Sequence, residues 1–385
     1  MNLAFCLFKY FPYGGLQRDF LEISLKCQQR GHIITVFTMG WAGPVPPGFH
    51  VQIIPSRGFA NYARCFSFAK NALPYLKAGS FDAIVGFNKM PGLDLYYAGD
   101  PCYLDRARRK HVFKLAPYYW ASARFRQFVA FEKAVFGPGS HTEIMLLHSP
   151  QQGVYMDTYG TAEERFHHLP PGICEDRKPV LDSEGVRATL RREFLRPGAE
   201  MLLLMVGVGW RSKGLDRALC ALSALPSDIR RKTTMVAIGE NRVRSFGYLA
   251  SRLGIADLVT MLPARQDIPR FYLGADLLIH PAYSENTGGV ILESMVYGLP
   301  ILTTDVCGYA RHVLDAQAGV VVSSPYSQQV MNRALLEMLT SLRREKFSVN
   351  GVSYTKALDL YSRAEQVVCI IEDRVKRKRS ALPSA

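Results

Sequence analysis

The sequence predicts an α/β protein made of two doubly wound parallel-sheet domains. Three observations carry that expectation. Short β-branched or apolar runs alternate with segments of helical period, the arrangement that builds parallel sheets covered by helices on both faces. The alternation stops and restarts at about 170–200, where Pro170-Pro171-Gly172 opens a polar stretch through Arg177, Lys178 and Pro179 to Pro197-Gly198. The length, 385 residues, suits two domains at about 100 to 200 residues each.

The first domain, 1–170, takes strands at 2–8, 33–38 (IITVFT), 51–54, 82–87 (DAIVGF) and 143–149 (EIMLLHS). Between the first two, Leu16, Phe20, Ile23 and Cys27 share one helical face. The second domain, 171–355, takes strands at 201–207 (MLLLMVG), 235–239 (MVAIG), 258–262 (LVTML), 276–280 (DLLIH), 300–304 (PILTT) and 319–322 (GVVV). A last helical pattern at about 355–375 is expected to return to the first domain, so that 356–385 forms a C-terminal helix and a basic tail. Arg374, Lys376, Arg377, Lys378 and Arg379 in that tail read as a solvated terminus. A cleft is expected between the two domains.

Composition narrows the class. Hydrophobic residues at 48% supply a large core, and charged residues at 21% with no low-complexity tract exclude a disordered, collagenous or coiled-coil chain. Forty-seven Lys+Arg against 33 Asp+Glu leave a net charge of +14, which attracts polyanions: nucleic acid, an anionic membrane face or phosphorylated substrates. The eight cysteines stand singly with no metal-ligand spacing and read as reduced residues of a cytosolic protein. The run after Met1 is strand-like, so no secretory signal peptide is expected, and no apolar stretch approaches the ~20 residues needed to cross a bilayer.

Ligands of doubly wound sheets bind beyond the carboxyl ends of the strands. Four such ends carry unusual residues. Gly14-Gly15 follow the first strand just before a helix, where glycine permits close approach and free amides favour an anion. The same pair reads equally as a plain strand-to-helix turn, and it is not a dinucleotide fingerprint. Gly207-Val208-Gly209-Trp210-Arg211-Ser212-Lys213-Gly214 places two cations at a strand end, suited to a diphosphate, although a solvated basic turn has the same composition. His280-Pro281-Ala282-Tyr283-Ser284-Glu285-Asn286-Thr287-Gly288-Gly289 leads into a helix bearing Glu293. Carboxylates accept pairs of hydroxyl hydrogen bonds, so Glu285 and Glu293 suit a polyhydroxylated ligand, with amides between them for phosphate. Asn88 and Lys89, with Asp100 shortly after, stand where a second substrate could bind, or form a structural loop.

Gly207 with Lys213-Gly214, Glu285 and Glu293, and Gly298-Leu299-Pro300 resemble the second domain of retaining GT-B glycosyltransferases with the E-x7-E motif. YFPYGGLQRDF, GFNKMPGLD, LPPGI followed by Asp176-Arg177, DLLIHPAY and TTDVCGYA resemble the lipopolysaccharide core glucosyltransferase I family over about residues 1 to 370. The resemblance implies two Rossmann-like domains and α-hexosyl transfer, with retention, from a UDP-sugar to inner-core heptose of lipopolysaccharide. It implies Glu293 at the ribose, Lys213 with Arg211 at the diphosphate, and Glu285 at the transferred sugar beside the Asn286, Thr287 and Gly288 amides. Arg177 matches the family's hinge arginine, Gly14, Gly15 and Asp19 would close over the sugar, and uracil would meet backbone near Arg265. The phosphate loop departs from the family pattern, since Ser212 separates Arg211 from Lys213. No Asp-x-Asp occurs in the chain, so metal-independent transfer without a cofactor is expected. Same-face attack with the donor phosphate as base is the expected route; Asp19 and Asp100 are the nucleophile candidates for double displacement.

The segment 103–133 holds eight cations against two carboxylates, six of the chain's +14 net charge. Arg106, Arg108, Arg109, Lys110, Lys114, Arg124 and Arg126 alternate with aromatic residues that include Trp120, a composition suited to an anionic lipid interface. Phe128, Phe131 and Val135 also have the spacing of a core face. The expected location is the inner face of the cytoplasmic membrane, as a peripheral protein, and nucleic acid is not an expected partner. Rival readings are a sugar-nucleotide epimerase or phosphorylase of the same fold, and a basic nucleic-acid-binding protein.

Overall fold

The computed structural model describes residues 1–110, 116–179, 183–239 and 244–380. The chain divides into two compact units: Met1–Pro170 joined by Ser362–Ala385, and Pro171–Tyr361.

The first unit holds seven parallel strands: β1 Asn2–Cys6, β2 Ile33–Thr38, β3 Phe49–Ile53, β4 Ala83–Gly86, β5 Leu95–Ala98, β6 Glu143–Leu146 and β7 Phe166–His168. Their order is β3-β2-β1-β4-β5-β6-β7. The winding reverses between β1 and β4, so the loops after these two strands flank the unit's topological switch point. Central strands are buried on both faces, which is why Leu3, Ala4, Phe5 and Cys6 read as a continuous apolar run. The sequence reading missed β5 and β7. Leu95–Ala98 is only four residues long and follows a Gly-Leu-Asp turn without the β-branched signal, and Phe166–His168 carries two histidines in three residues.

The second unit holds six parallel strands: β8 Met201–Val206, β9 Thr233–Ile238, β10 Val259–Leu262, β11 Leu277–His280, β12 Ile301–Thr304 and β13 Gly319–Val322. Their order is β10-β9-β8-β11-β12-β13, with reversal between β8 and β11. Leu203 pairs with Leu277 and Leu204 with Leu278, so the loops that leave these strands emerge side by side.

The return to the first unit falls at Ser362 rather than 356. The helix Arg343–Lys356 packs on Gly289–Val296 and closes the second unit, and a separate helix, Arg363–Ser380, follows it. Val367, Val368, Ile371 and Val375 of this last helix are buried with Phe20, Ile23 and Cys27 of the helix Gly15–Gln29. Most of the basic tail is solvated as expected, with Lys376, Arg377, Lys378 and Arg379 exposed, but its arginines are also paired. Arg374 and Arg377 pair with Glu143, and Arg379 with Asp82, because these carboxylates lie at the N-terminal ends of β6 and β4, under the last helix. All eight cysteines are unbridged. Among the described residues no helix is long and apolar enough to cross a membrane.

Candidate functional site

The β8/β11 switch point gathers the conspicuous residues of the second unit. After β8 the chain turns through Gly207 (φ +147°) and Gly209 (φ +86°) into the short helix Trp210–Lys213, then through Gly214 (φ +81°) into Leu215–Ser223. Glycine is required at 214 twice over. Its backbone is left-handed, and a Cβ there would lie 2.1 Å from the carbonyl oxygen of Pro281 in the loop after β11. The same two loops are tied by a hydrogen bond from Tyr283 N to Ser212 O at 2.8 Å.

This close approach delivers Lys213 Nζ to Glu285 Oε2, where the two form an ion pair with both side chains largely buried. His280, at the end of β11, places Nε2 3.4 Å from the same carboxylate oxygen. Asn286 N donates to Glu285 Oε1 at 3.2 Å. Burial alone would raise the Glu285 carboxyl, but the His280 hydrogen bond and the Lys213 charge bring it down to about 2. His280 is 1% exposed. Burial would depress its pKa, yet contacts with Cys307 and Glu285 raise it to about 9, so Glu285 is an anion held between two cations at neutral pH.

Gly288 (φ +81°) then releases the chain into the helix Gly289–Val296. A Cβ on Gly288 would sit 3.3 Å from Glu285 Cγ, and one on Gly289 would sit 3.9 Å from Glu293 Oε1. The two carboxylates therefore flank the glycine pair. Glu293 is 4% exposed and accepts a hydrogen bond from Tyr272 Oη at 2.6 Å. Arg177, on the short turn Glu175–Arg177, lies with Nε 3.9 Å from Glu293 Oε2. Its Nη1 donates to Gln266 O at 3.1 Å, while Nε has no hydrogen-bond partner among the described residues. Asn286 O and Thr287 O accept from Gly308 N and Tyr309 N, which pins the loop from beneath.

The structure thus brings Lys213 to Glu285 and Arg177 to Glu293, around Asn286, Thr287 and Gly288. Arg211 is exposed beside them. Arg265 is engaged on its own chain by a two-pronged pair with Asp267 at 2.6 and 2.8 Å. Three residues had no role in the sequence reading. His280 was visible only as a strand end. Tyr272 reaches Glu293 from 21 residues upstream with no motif to mark it. Arg217 is sandwiched 3.5 Å from the rings of Tyr283 and Tyr326 and donates to Pro281 O and Ala282 O, bracing the loop that carries Glu285.

In the first unit, Gly14 and Gly15 begin the helix Gly15–Gln29 at the β1/β4 switch point. Asp19, expected over the sugar, is held on both carboxylate oxygens: Arg363 Nη2 donates to one at 2.7 Å and Tyr97 Oη to the other at 2.8 Å. It joins the last helix to the first one, which withdraws it as a free nucleophile. Asn88, Lys89 and Asp100 do share a cavity, of about 180 Å³, with Arg106 and Arg124 on its wall. Asn88 Oδ1 also accepts from Phe8 N at 2.7 Å, locking the loop after β4 to that after β1. Lys89 is committed to Glu132, a fully buried carboxylate that also accepts from Tyr103 N, Leu104 N and Tyr159 Oη. Burial would raise Glu132, and Lys89 with these donors holds it below the usual range.

Arg106, Arg108, Arg124 and Arg126 are exposed, whereas Trp120 packs edge-on against Phe125 at 4.6 Å. Phe131 and Val135 are core. Lys114 lies outside the described residues, as do the side chains of Arg109 and Lys110.

Two parallel-sheet units with this lysine–glutamate pair at a switch point define a glycosyltransferase of the GT-B class. Residues 186–353 match the family model for glycosyl transferases group 1. The chain is 40% identical over 372 residues, 96% of its length and 98% of the relative's, to the lipopolysaccharide glucosyltransferase WaaG of Escherichia coli (strain K12). It belongs to that glucosyltransferase family. A crystal structure of WaaG, described as a glycosyltransferase involved in lipopolysaccharide biosynthesis, superposes with a TM-score of 0.90 at 39% identity, covering 96% of this chain and 99% of that one. The fold extends to Anabaena HepE in complex with UDP-glucose, TM-score 0.71 at 17% identity, covering 99% of this chain and 100% of that one.

Proposed function

We propose that this protein transfers glucose, with retention of configuration, from UDP-glucose to an inner-core heptose of lipopolysaccharide at the inner face of the cytoplasmic membrane. The observation that carries the reading is the Lys213–Glu285 pair beside Glu293 and Arg177, in a chain of the glucosyltransferase family. Glu293, oriented by Tyr272, is placed to accept hydrogen bonds from the ribose hydroxyls. Lys213 and Arg177 are fixed cations for the diphosphate, whose charge grows as the glycosidic bond breaks. One such preorganised donor contributes roughly 3 kcal/mol to a transition state. Glu285, ionised and gripped by His280 and Lys213, is placed to orient the sugar hydroxyls.

With Asp19 tied to Arg363 and Tyr97 and Asp100 in the cavity of Asn88 and Lys89 taken for the acceptor, the route is same-face attack: the departing diphosphate oxygen takes the acceptor hydroxyl proton while the incoming oxygen bonds to the anomeric carbon on the face it leaves. Charge neutralisation by side chains makes the reaction independent of added divalent metal. Arg108 and Arg126, both exposed, with Tyr118 82% exposed, form the surface that meets anionic lipid.

The test is direct. Purified protein with UDP-glucose and heptosylated lipid A should release UDP only when acceptor is present, in EDTA as well as magnesium, and yield an α-glucoside by NMR. UDP release without acceptor, or a β-product, would overturn the reading.

A further inference from the structure

The cavity in the first unit contains more than a neutral sugar needs. Its wall carries Asn88, Asp100, Tyr103, Arg106, Arg124 and Phe128, with the Lys89–Glu132 pair beneath. Lys89 is charge-balanced by Glu132, whose oxygens are further filled by Tyr103 N, Leu104 N and Tyr159 Oη. Asp100 offers one carboxylate. Two guanidiniums, Arg106 and Arg124, face it, and neither has an ion-pair partner among the described residues. Each is instead held against an aromatic face, Arg106 5.8 Å from the Tyr103 ring and Arg124 5.8 Å from the Phe128 ring. The two arginines come from different helices, Tyr103–Lys110 and Ala123–Phe136. Glu132 joins those helices, since it lies on the second and accepts the first two amides of the first.

We propose that Arg106 and Arg124 form an anion subsite that reads an acidic group, a sugar carboxylate or a sugar phosphate, on the acceptor glycan. The inference rests on the transferase reading above and adds to it what the acceptor must carry. Guanidiniums present paired donors that match carboxylate and phosphate oxygens. Aromatic walls suit a sugar face, and Asn88 with Asp100 suit its hydroxyls. At about 180 Å³ the cavity is smaller than the roughly 300–1,000 Å³ of drug-sized clefts, so it takes one ring with its substituent, not a whole oligosaccharide. A flat lipid surface would ask for neither concavity nor a carboxylate and an amide beside the cations. This assigns two arginines of the basic segment to the glycan and leaves the outer cations, Arg108 and Arg126, to the membrane.

The deciding experiment uses the full-length protein and a deacylated acceptor glycan in vesicle-free buffer, so that lipid contributes nothing. R106Q/R124Q should raise the acceptor KM at least tenfold and leave the UDP-glucose KM unchanged. K70Q/K77Q, which removes two exposed cations from the helix Asn61–Ala78, should change neither. Repeating the assay with phosphatase-treated acceptor and with carboxyl-reduced acceptor identifies the anion: the treatment that removes the tenfold difference between wild type and variant names it. An acceptor KM indifferent to R106Q/R124Q overturns the subsite, as does a difference that survives both treatments or a defect seen only with vesicles. If wild type itself transfers nothing to any acceptor, the transferase reading fails first, and binding of glucuronate and glucose 6-phosphate by titration calorimetry still tests the subsite. Equal, undetectable binding by wild type and R106Q/R124Q would overturn it.

Discussion

Lys213 and Glu285 show how much a single residue contributes when its partner is fixed. Lys213→Ala removes the cation proposed for the leaving diphosphate and leaves Glu285 with His280 and the Asn286 amide. We expect kcat to fall about 100- to 1,000-fold with unchanged far-UV circular dichroism; a loss below fivefold would remove its assigned role. Tyr272→Phe deletes one hydrogen bond to a buried carboxylate, which costs roughly 1–3 kcal/mol, and should raise the UDP-glucose KM more than it lowers kcat. His280 gives the protein a pH signature. Its folded pKa, about 9, lies above the ordinary 6.5. The charged form is therefore favoured by folding, and its stabilisation is fully present below pH 6.5 and lost as pH rises through 9. Thermal midpoints should fall between pH 6.5 and 9, and His280→Gln should flatten that slope. Glu285 works in the opposite sense: its carboxyl, held at about 2, stabilises above the ordinary carboxylate range, and that contribution disappears as pH falls toward 2.

At the scale of elements, the site depends on glycines that allow two loops to touch. Gly214→Ala combines a left-handed backbone with a Cβ 2.1 Å from Pro281 O, so it should destabilise by about 1–3 kcal/mol and abolish transfer together, read by urea denaturation and UDP release. Most of this architecture was legible in the sequence. Leu202–Val206 and Met235–Ile238 are buried throughout, and buried parallel strands announce themselves as unbroken apolar runs. Gly-rich segments ahead of helices marked both loops of the β8/β11 switch point. What stayed hidden were partnerships across long sequence separations. Nothing near Asp19 signals Arg363, and nothing near Glu293 signals Tyr272, because linear spacing carries no information about which helix will lie opposite. For the same reason the ion pairs of the tail arginines were not legible: Glu143 and Asp82 are separated from them by most of the chain.

For the whole molecule, net charge and its distribution matter more than any one contact. The outer arginines Arg108 and Arg126 should hold the protein on anionic vesicles, each contributing about 1 kcal/mol. R108Q/R126Q should therefore weaken association roughly thirtyfold at low salt, and the difference should shrink as salt screens the surface. Co-sedimentation that is equal for variant and wild type at every salt concentration would remove the docking role from these residues.

The last helix also sets an order of assembly during synthesis. The second unit is one unbroken stretch, Pro171–Tyr361, whereas the first unit takes its final helix from the far side of it. Val367, Val368, Ile371 and Val375 belong to the same apolar cluster as Phe5, Phe20 and Ile34, so the amino-terminal unit must wait, with the part of this cluster that the last helix covers left open, while nearly two hundred intervening residues leave the ribosome. The nascent chain completes its second unit before its first can close. Arrest-peptide force profiles should accordingly show the later-encoded unit folding first.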